Sequence, residues 1–464
     1  MQWPPTTVQR SLFYRAMRRF TFAALFLCVP AVASANGSYS HVHISQLAAD
    51  GLPPGELATL LADPDNRAAL EAGSMFPDSG YAIEDEYGEI AHWEPFLGAL
   101  IAQLRATHGG DYASPEAQRQ VAFALGVASH GIADQTYDTT LLARAYEVDG
   151  PEDDARPVDQ FADYFIVIDE GVLIAVEPEG PWAEIVPAMG ATGHTVSEGT
   201  LRSGMSRMSV VIDIQGNPRT ARNLYWDAWE SYPFLGTHIY NVDAVGSLPW
   251  IAELVQAYWE VVHARLRATD DVDSQLVIRA VPEDGAVNWP VDLEETTAWG
   301  RPALYFGYGI DRDQIAPLIT LRDESSGEAV GFSIQTAYGG RDRNLVFLRP
   351  DAPLSYDTDY TVEVAAGVET LDGRTSAAPF MTSFRTRCAP DALDACPALE
   401  PPLVTGEIPT RPEPTDAGRP DAGAPEVDAG APAEDGGDGC AVGATGGPAW
   451  PAALMLLAAW IRRR

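Results

Sequence analysis

The sequence predicts a multidomain chain in which a mainly α domain is followed by an all-β sandwich, and three observations carry that expectation. The chain has 464 residues, more than one core holds at roughly 100 to 200 residues per domain. From about Ser38 to Asp270 the apolar period is helical: Leu97, Leu100, Ile101 and Leu104 stand at i, i+3, i+4 and i+7, and Leu254, Tyr258, Val261, Val262 and Leu266 follow much the same spacing. From Ser274 the period changes to two, in Leu276-Val277-Ile278, Ala303 to Phe306, Leu345 to Leu348 and Tyr360 to Val364, with turn residues such as Glu283-Asp284-Gly285 and Asp372-Gly373 between them. About seven short strands of this kind suggest two packed sheets.

Taken in order, residues 1–35 read as a signal peptide. Arg10, Arg15, Arg18 and Arg19 precede an apolar run from Phe20 to Val32, and Ala33-Ser34-Ala35 is a small-residue cleavage site, so the mature chain is expected to begin at Asn36. The run is shorter than the ~20 residues a membrane span needs. The α domain is expected over 36–272 and the sandwich over 273–389. Residues 390–439 form a Pro-, Ala-, Gly- and Asp-rich linker with too little apolar surface to fold. Residues 440–464 form a sorting or membrane tail: Cys440, an apolar run from Pro448 to Ile461, then Arg462-Arg463-Arg464. Export leaves Cys388 and Cys396 to pair as a disulfide. The four cysteines have no zinc-ribbon spacing, so any zinc must be held by His and carboxylates. With 30 Lys and Arg against 66 Asp and Glu, the net charge is −36, which argues against a nucleic-acid partner.

The candidate chemistry lies in the α domain. His130 and Asp134 are four apart in a helical context and project from one face, a spacing that suits a single metal ion. Asp138 extends that face by a turn, and Asp159 and Asp163 repeat the spacing; without a metal, two carboxylates so placed only repel. Upstream stand His41, His43, Asp78 after Pro77, and His92. Imidazole with hard carboxylates suits zinc or a similar divalent ion. Against each residue stands a plainer role: Asp78 as a helix N-cap, Asp159 and Asp163 as a solvated face, His108 at a helix C-terminus, and His194, His238 and His263 as surface or satisfied core histidines.

Ser40-His41, Ala72 to Asp78, His92-Trp93-Glu94-Pro95-Phe96, Gly126 to Asp134, and Asp159 to Asp163 resemble, in this order, the zinc-dependent phospholipase C/D domain, closest to the glycosylphosphatidylinositol-specific phospholipase D branch. The resemblance runs from Asn36 to about Gly171 and implies a phospholipase C/nuclease-like helical bundle with two or three zinc ions. It implies a first metal on Asp78, His92, His130 and Asp134, and a second on His41, the bridging Asp134 and the free amine and carbonyl of Asn36. A third falls to Asp138, Asp159 and Asp163. Asp138 stands where the family usually has His, so this all-carboxylate site suits a harder ion such as magnesium, manganese or calcium. Asp78 is the implied catalytic base. The segments 280–287, 304–306, 345–350, 353–362, 371–373 and 383–386 resemble the Ig-like domain of S-layer and other bacterial surface proteins, which implies a spacer. The C-terminal residues resemble a MYXO-CTERM sorting tail.

These expectations combine into a secreted metal-dependent phosphodiesterase attached to the outer cell envelope. It acts on phospholipid or glycolipid, meets the membrane surface through its tail, and has no stable protein partner. The rivals are a single-strand nuclease on the same fold and a non-catalytic, metal-stabilised adhesion or structural protein.

Overall fold

The computed structural model describes residues 37–150, 158–291, 301–335, 338–389 and 391–392. The expected signal peptide, tail and nearly all of the linker lie outside them, as do Asn36 and Cys396. Cys388 is disulfide-bonded.

Seven helices position the site. Helix α1 spans Ser38–Asp50 and has no side-chain cap of its own beside its N-cap Gly37. Helix α2 (Pro64–Tyr81) starts where the Asp63 carboxylate accepts from the amides of Asp65 and Asn66, with Pro64 in the first turn, where its missing N–H costs nothing. Pro77 lies inside α2. Asp78 is therefore in the last turn of a helix, and the N-cap role open to it in the sequence is not the one it takes. The short α3 (Tyr87–Ala91) leads to α4 (Glu94–His108), whose end at Gly109 takes a left-handed φ of 63° that a glycine adopts without strain. Helix α5 (Pro115–Tyr137) begins with Ser114 accepting from the Ala117 amide, and every residue from Gln120 to Tyr137 is buried. A helix apolar on all sides belongs in a core, and α5 is the central rod of this one. At Asp138 the α-helix gives way to a π-helical turn, Asp138–Leu142. Helices α6 (Val158–Phe165) and α7 (Leu248–Arg267) complete the set, with Ser247 capping α7 at the Trp250 amide.

The closest helix pair is α2 with α5, and two glycines let them meet. A Cβ on Gly126 would lie 2.1 Å from the Leu70 carbonyl oxygen, and one on Gly73 would lie 2.1 Å from that of Phe123. Backbone meets backbone at this crossing, so Asp78 on α2 comes to face His130 on α5. Residues 172–270, which carry no motif, form further helices including Glu198–Gln215, whose Met208 sulfur is 3.5 Å from the Ser38 hydroxyl beside the site.

The strands number nine among the described residues, against about seven expected. They form a four-stranded sheet in the order β1 (Val277–Val281), β3 (Ala303–Phe306), β7 (Leu345–Pro350), β6 (Phe332–Gln335). The five-stranded sheet runs β2 (Ala286–Trp289), β9 (Phe380–Thr386), β8 (Asp359–Val364), β4 (Ile319–Asp323), β5 (Ala329–Val330). All pairings are antiparallel except β2 with β9. The sheets lean on the helices: the Arg279 guanidinium lies 3.9 Å from the Trp250 ring centroid and pairs with Glu253 at 3.2 Å, and Arg374 pairs with Asp270.

The crossing yields a contrast. Gly126→Ala must push two backbones apart, and overpacking of this kind costs about 1 to 3 kcal/mol. Gly190→Ala, in a helix where a new Cβ meets nothing within 4 Å, leaves stability unchanged or raises it by up to ~1 kcal/mol. Urea unfolding midpoints of the two variants decide; equal midpoints would remove the crossing from the account of the fold.

Candidate metal centre

Five side chains from α1, α2, α5 and the α3–α4 junction converge in the core. His41, Asp78, His92, His130 and Asp134 are all buried. His130 and Asp134 come from α5, one turn apart as their spacing requires. His92 is delivered by the turn after α3, which rests on α5 because residue 131 is glycine: a Cβ there would lie 2.4 Å from the His92 carbonyl oxygen.

Donors and acceptors do not balance in this cluster. His92 Nδ1 is 2.6 Å from the Gly88 carbonyl oxygen and His130 Nδ1 is 2.6 Å from that of Ser74. A carbonyl only accepts, so each ring carries its proton on Nδ1 and turns the lone pair of Nε2 inward when neutral. The two Nε2 atoms stand 2.9 Å apart. Around them are Asp134 Oδ2, at 3.3 Å from His92 and 3.5 Å from His130, and Asp78 Oδ1, at 3.6 and 3.8 Å. The other Asp134 oxygen is 3.0 Å from His41 Nε2, and the His41 ring stacks on His130 with centroids 3.6 Å apart. Both His41 nitrogens, Asp78 Oδ1 and Asp134 Oδ1 are buried without a hydrogen-bond partner. One His41 nitrogen bears a proton, and the other orphaned atoms are acceptors; crowded at these distances they call for positive charge.

Two overlapping sets have the donor chemistry of a divalent metal site: His41, His130 and Asp134, and Asp78, His92 and His130, the ligand atoms within each lying within 4.8 Å of one another. The residues present thus fit zinc. In its absence the charge falls to protons. Burial opposes charging His92, but the Asp134 and Asp78 carboxylates prevail and lift it to about 10. Burial and the neighbouring His41 push His130 down to about 3. Burial also acts to raise Asp78 and Asp134, and the surrounding histidines overcome it and hold both carboxyls low.

The remaining candidates fall outside these two sets. Asp163 on α6 caps α1 from a distance: it accepts from the Ser40 amide at 2.9 Å, the Ser40 hydroxyl at 2.8 Å and the Tyr39 amide at 3.4 Å. Burial nonetheless raises its carboxyl to about 7. Asp138 opens the π-helical turn and accepts a hydrogen bond from Tyr338 of the sheet region. Neither belongs to the two sets above. Asp159 lies on α6 with its side chain outside the described residues, and Asn36 lies outside them altogether. His43 is buried, and burial pushes it down to about 4. His194, read as a surface or satisfied core histidine, is 3.2 Å from the Asp85 carboxylate. Sequence reasoning missed Ser38, whose hydroxyl donates to Asp78 Oδ2 at 3.1 Å, and the buried Glu94–Arg265 pair at 2.7 Å beneath the site. Only the adjacency of Ser38 to His41 on one helix could have flagged the former.

Two outcomes follow from this geometry. Zinc must displace the proton on His92, so binding releases about one proton near neutral pH. Apparent zinc affinity then climbs by roughly tenfold per pH unit toward about pH 10. Calorimetry in buffers of different ionisation enthalpy measures this; a pH-independent affinity contradicts it. Asp163→Ala should cost about 1 to 3 kcal/mol by orphaning the α1 terminus. Asp163→Asn, keeping the Oδ1 acceptor, should cost less, and equal losses would mean the cap is not what Asp163 supplies.

Comparison with known proteins agrees with this arrangement. Residues 40–137 match the family described as zinc dependent phospholipase C, and residues 271–386 match the bacterial Ig-like domain. A stretch of 88 residues is 31% identical to phosphatidylinositol-glycan-specific phospholipase D of Rattus norvegicus, covering 18% of this chain and 10% of that protein's length. Surface layer protein SbsC, domains 1–6, aligns at 10% identity over 63% of this chain and 45% of its own, with a TM-score of 0.19. The N-terminal part of the same S-layer protein aligns at 11% identity over 63% and 78%, also at 0.19. Likeness at that level does not bear on the fold. The chain carries a zinc dependent phospholipase C domain at 40–137 and a bacterial Ig-like domain at 271–386.

Proposed function

We propose that this protein is a zinc-dependent phosphodiesterase that hydrolyses phospholipids of the phospholipase C/D type. The observation that carries the reading is the buried cluster of His41, Asp78, His92, His130 and Asp134, in which His41, Asp78 and Asp134 keep polar atoms without a hydrogen-bond partner. When bound there, zinc supplies neutralising charge to an anionic diester and brings the pKa of a coordinated water to about 7. The chain's own residues do the rest. Asp134 has one oxygen toward His41 and the other toward His92 and His130, so it is the carboxylate placed to serve both sets. The backbone acceptors of Gly88 and Ser74 fix the tautomers of His92 and His130, so that Nε2 stays a ligand. Asp78 is held through Oδ2 by Ser38, and its carboxylate doubles as a metal ligand and as the base for the attacking water's proton.

The assignment extends to Asn36, whose α-amino group, freed when residues 1–35 are cleaved, joins His41 and Asp134. Its support is the buried Gly37 at the head of α1, four positions before His41. Asp138, Asp159 and Asp163 are assigned a further, harder divalent ion. The leader-like and tail-like segments support a location on the outer cell envelope.

The test is hydrolysis of phospholipid vesicles by zinc-loaded full-length mature chain, with single-stranded DNA as the competing substrate. His130→Ala and Asp134→Ala should drop to the rate of chelator-treated protein, and an added Met before Asn36 should lower both metal content and rate. Cleavage of DNA in place of lipid, or undiminished turnover in the alanine variants, overturns the reading.

A further inference from the structure

The Ig-like region reaches the metal centre. Tyr338, in the 3-10 turn Tyr338–Gly340 between β6 and β7, donates its hydroxyl to the Asp138 carboxylate, and the same oxygen is 3.2 Å from the Asp134 backbone carbonyl. This contact falls where α5, having delivered His130 and Asp134, turns π-helical. The Tyr338 ring lies 5.1 Å from that of Trp93, the neighbour of His92. Three residues on, Arg341 pairs with Glu89 of α3, and Glu89 also accepts from Tyr81 and Trp93, each at 2.9 Å. The Tyr81 ring in turn is 5.3 Å from the His92 ring. Tyr338 holds a left-handed φ of 49°, a conformation unfavourable for a bulky side chain and retained only where the surroundings enforce it.

We propose that Tyr338 is a positioning residue of the metal centre, supplied by the Ig-like domain, which is therefore part of the enzyme and not a spacer. Its hydroxyl pins the junction of the α-helical and π-helical turns and so fixes Asp134 and Asp138. Its ring and Arg341 brace Trp93 and Glu89, and with them the turn that delivers His92. The inference rests on the zinc reading of the site. Groups that orient metal ligands from outside are typically worth 10- to 100-fold in metal affinity or activity.

The experiment uses full-length mature chain carrying Tyr338→Phe, Tyr338→Ala or Arg374→Ala, and reads zinc affinity by competition with a chromophoric chelator, without substrate. Turnover of vesicle phospholipid is measured in parallel. Tyr338→Ala should weaken zinc affinity by about 10- to 100-fold. Tyr338→Phe, which keeps the ring on Trp93, should show a smaller loss. Arg374→Ala breaks the pair with Asp270 between the same two domains and should lower the melting temperature while leaving zinc affinity within about twofold of wild type. Wild-type zinc affinity in Tyr338→Ala, an equal loss in Arg374→Ala, or a wild-type chain that binds no zinc overturns the proposal. Wild-type protein that binds zinc but cleaves no diester, with the variants still ordered as above, overturns only the phospholipase reading.

Discussion

The rest of this structure is organised around a shortage of protons. Two imidazoles that must keep their Nδ1 hydrogens for backbone carbonyls turn Nε2 toward each other and toward two carboxylates, all of them buried. Such a set is costly in a low-dielectric interior unless a positive charge sits among it. A raised His92 is the protein's internal answer and a divalent ion the external one. The same constraint explains the glycines at 73, 126 and 131. Acceptors on three separate segments can share one cation only if their backbones approach to a distance that a Cβ forbids.

The parts legible in the sequence are those encoded locally. The helical and two-residue periods give both regions, and the His130–Asp134 spacing places both side chains on one face of α5. The aromatic and Pro-flanked segments around Asp78 and His92 mark further candidate ligands through their family resemblance. What could not be read depends on contacts across long stretches of chain. Asp163 stands at helical spacing from Asp159, and nothing local to that spacing shows that it also accepts from the amides of α1, more than a hundred residues earlier. Asp138 keeps its α-helical bond to the Asp134 carbonyl, and the π-helical turn that it opens has no signal in the local sequence. Tyr338 lies in a different domain, with no local pattern to connect it to a metal.

Charge gives the Ig-like region a further part in the site. In a chain of net charge −36, the residues beside the centre include Glu89 and Asp138, which on the phospholipase reading proposed above face an anionic diester with like charge. Both are engaged from the sheet side: Arg341 pairs with Glu89, and the Tyr338 hydroxyl donates to Asp138. Burial works to raise the Glu89 carboxyl, but the hydrogen bonds from Tyr81, Trp93 and Arg341 outweigh it and keep the group ionised and occupied. The loop after β6 therefore joins two tasks in one contact, bracing the turn that carries His92 and covering negative charge beside the buried histidines and carboxylates.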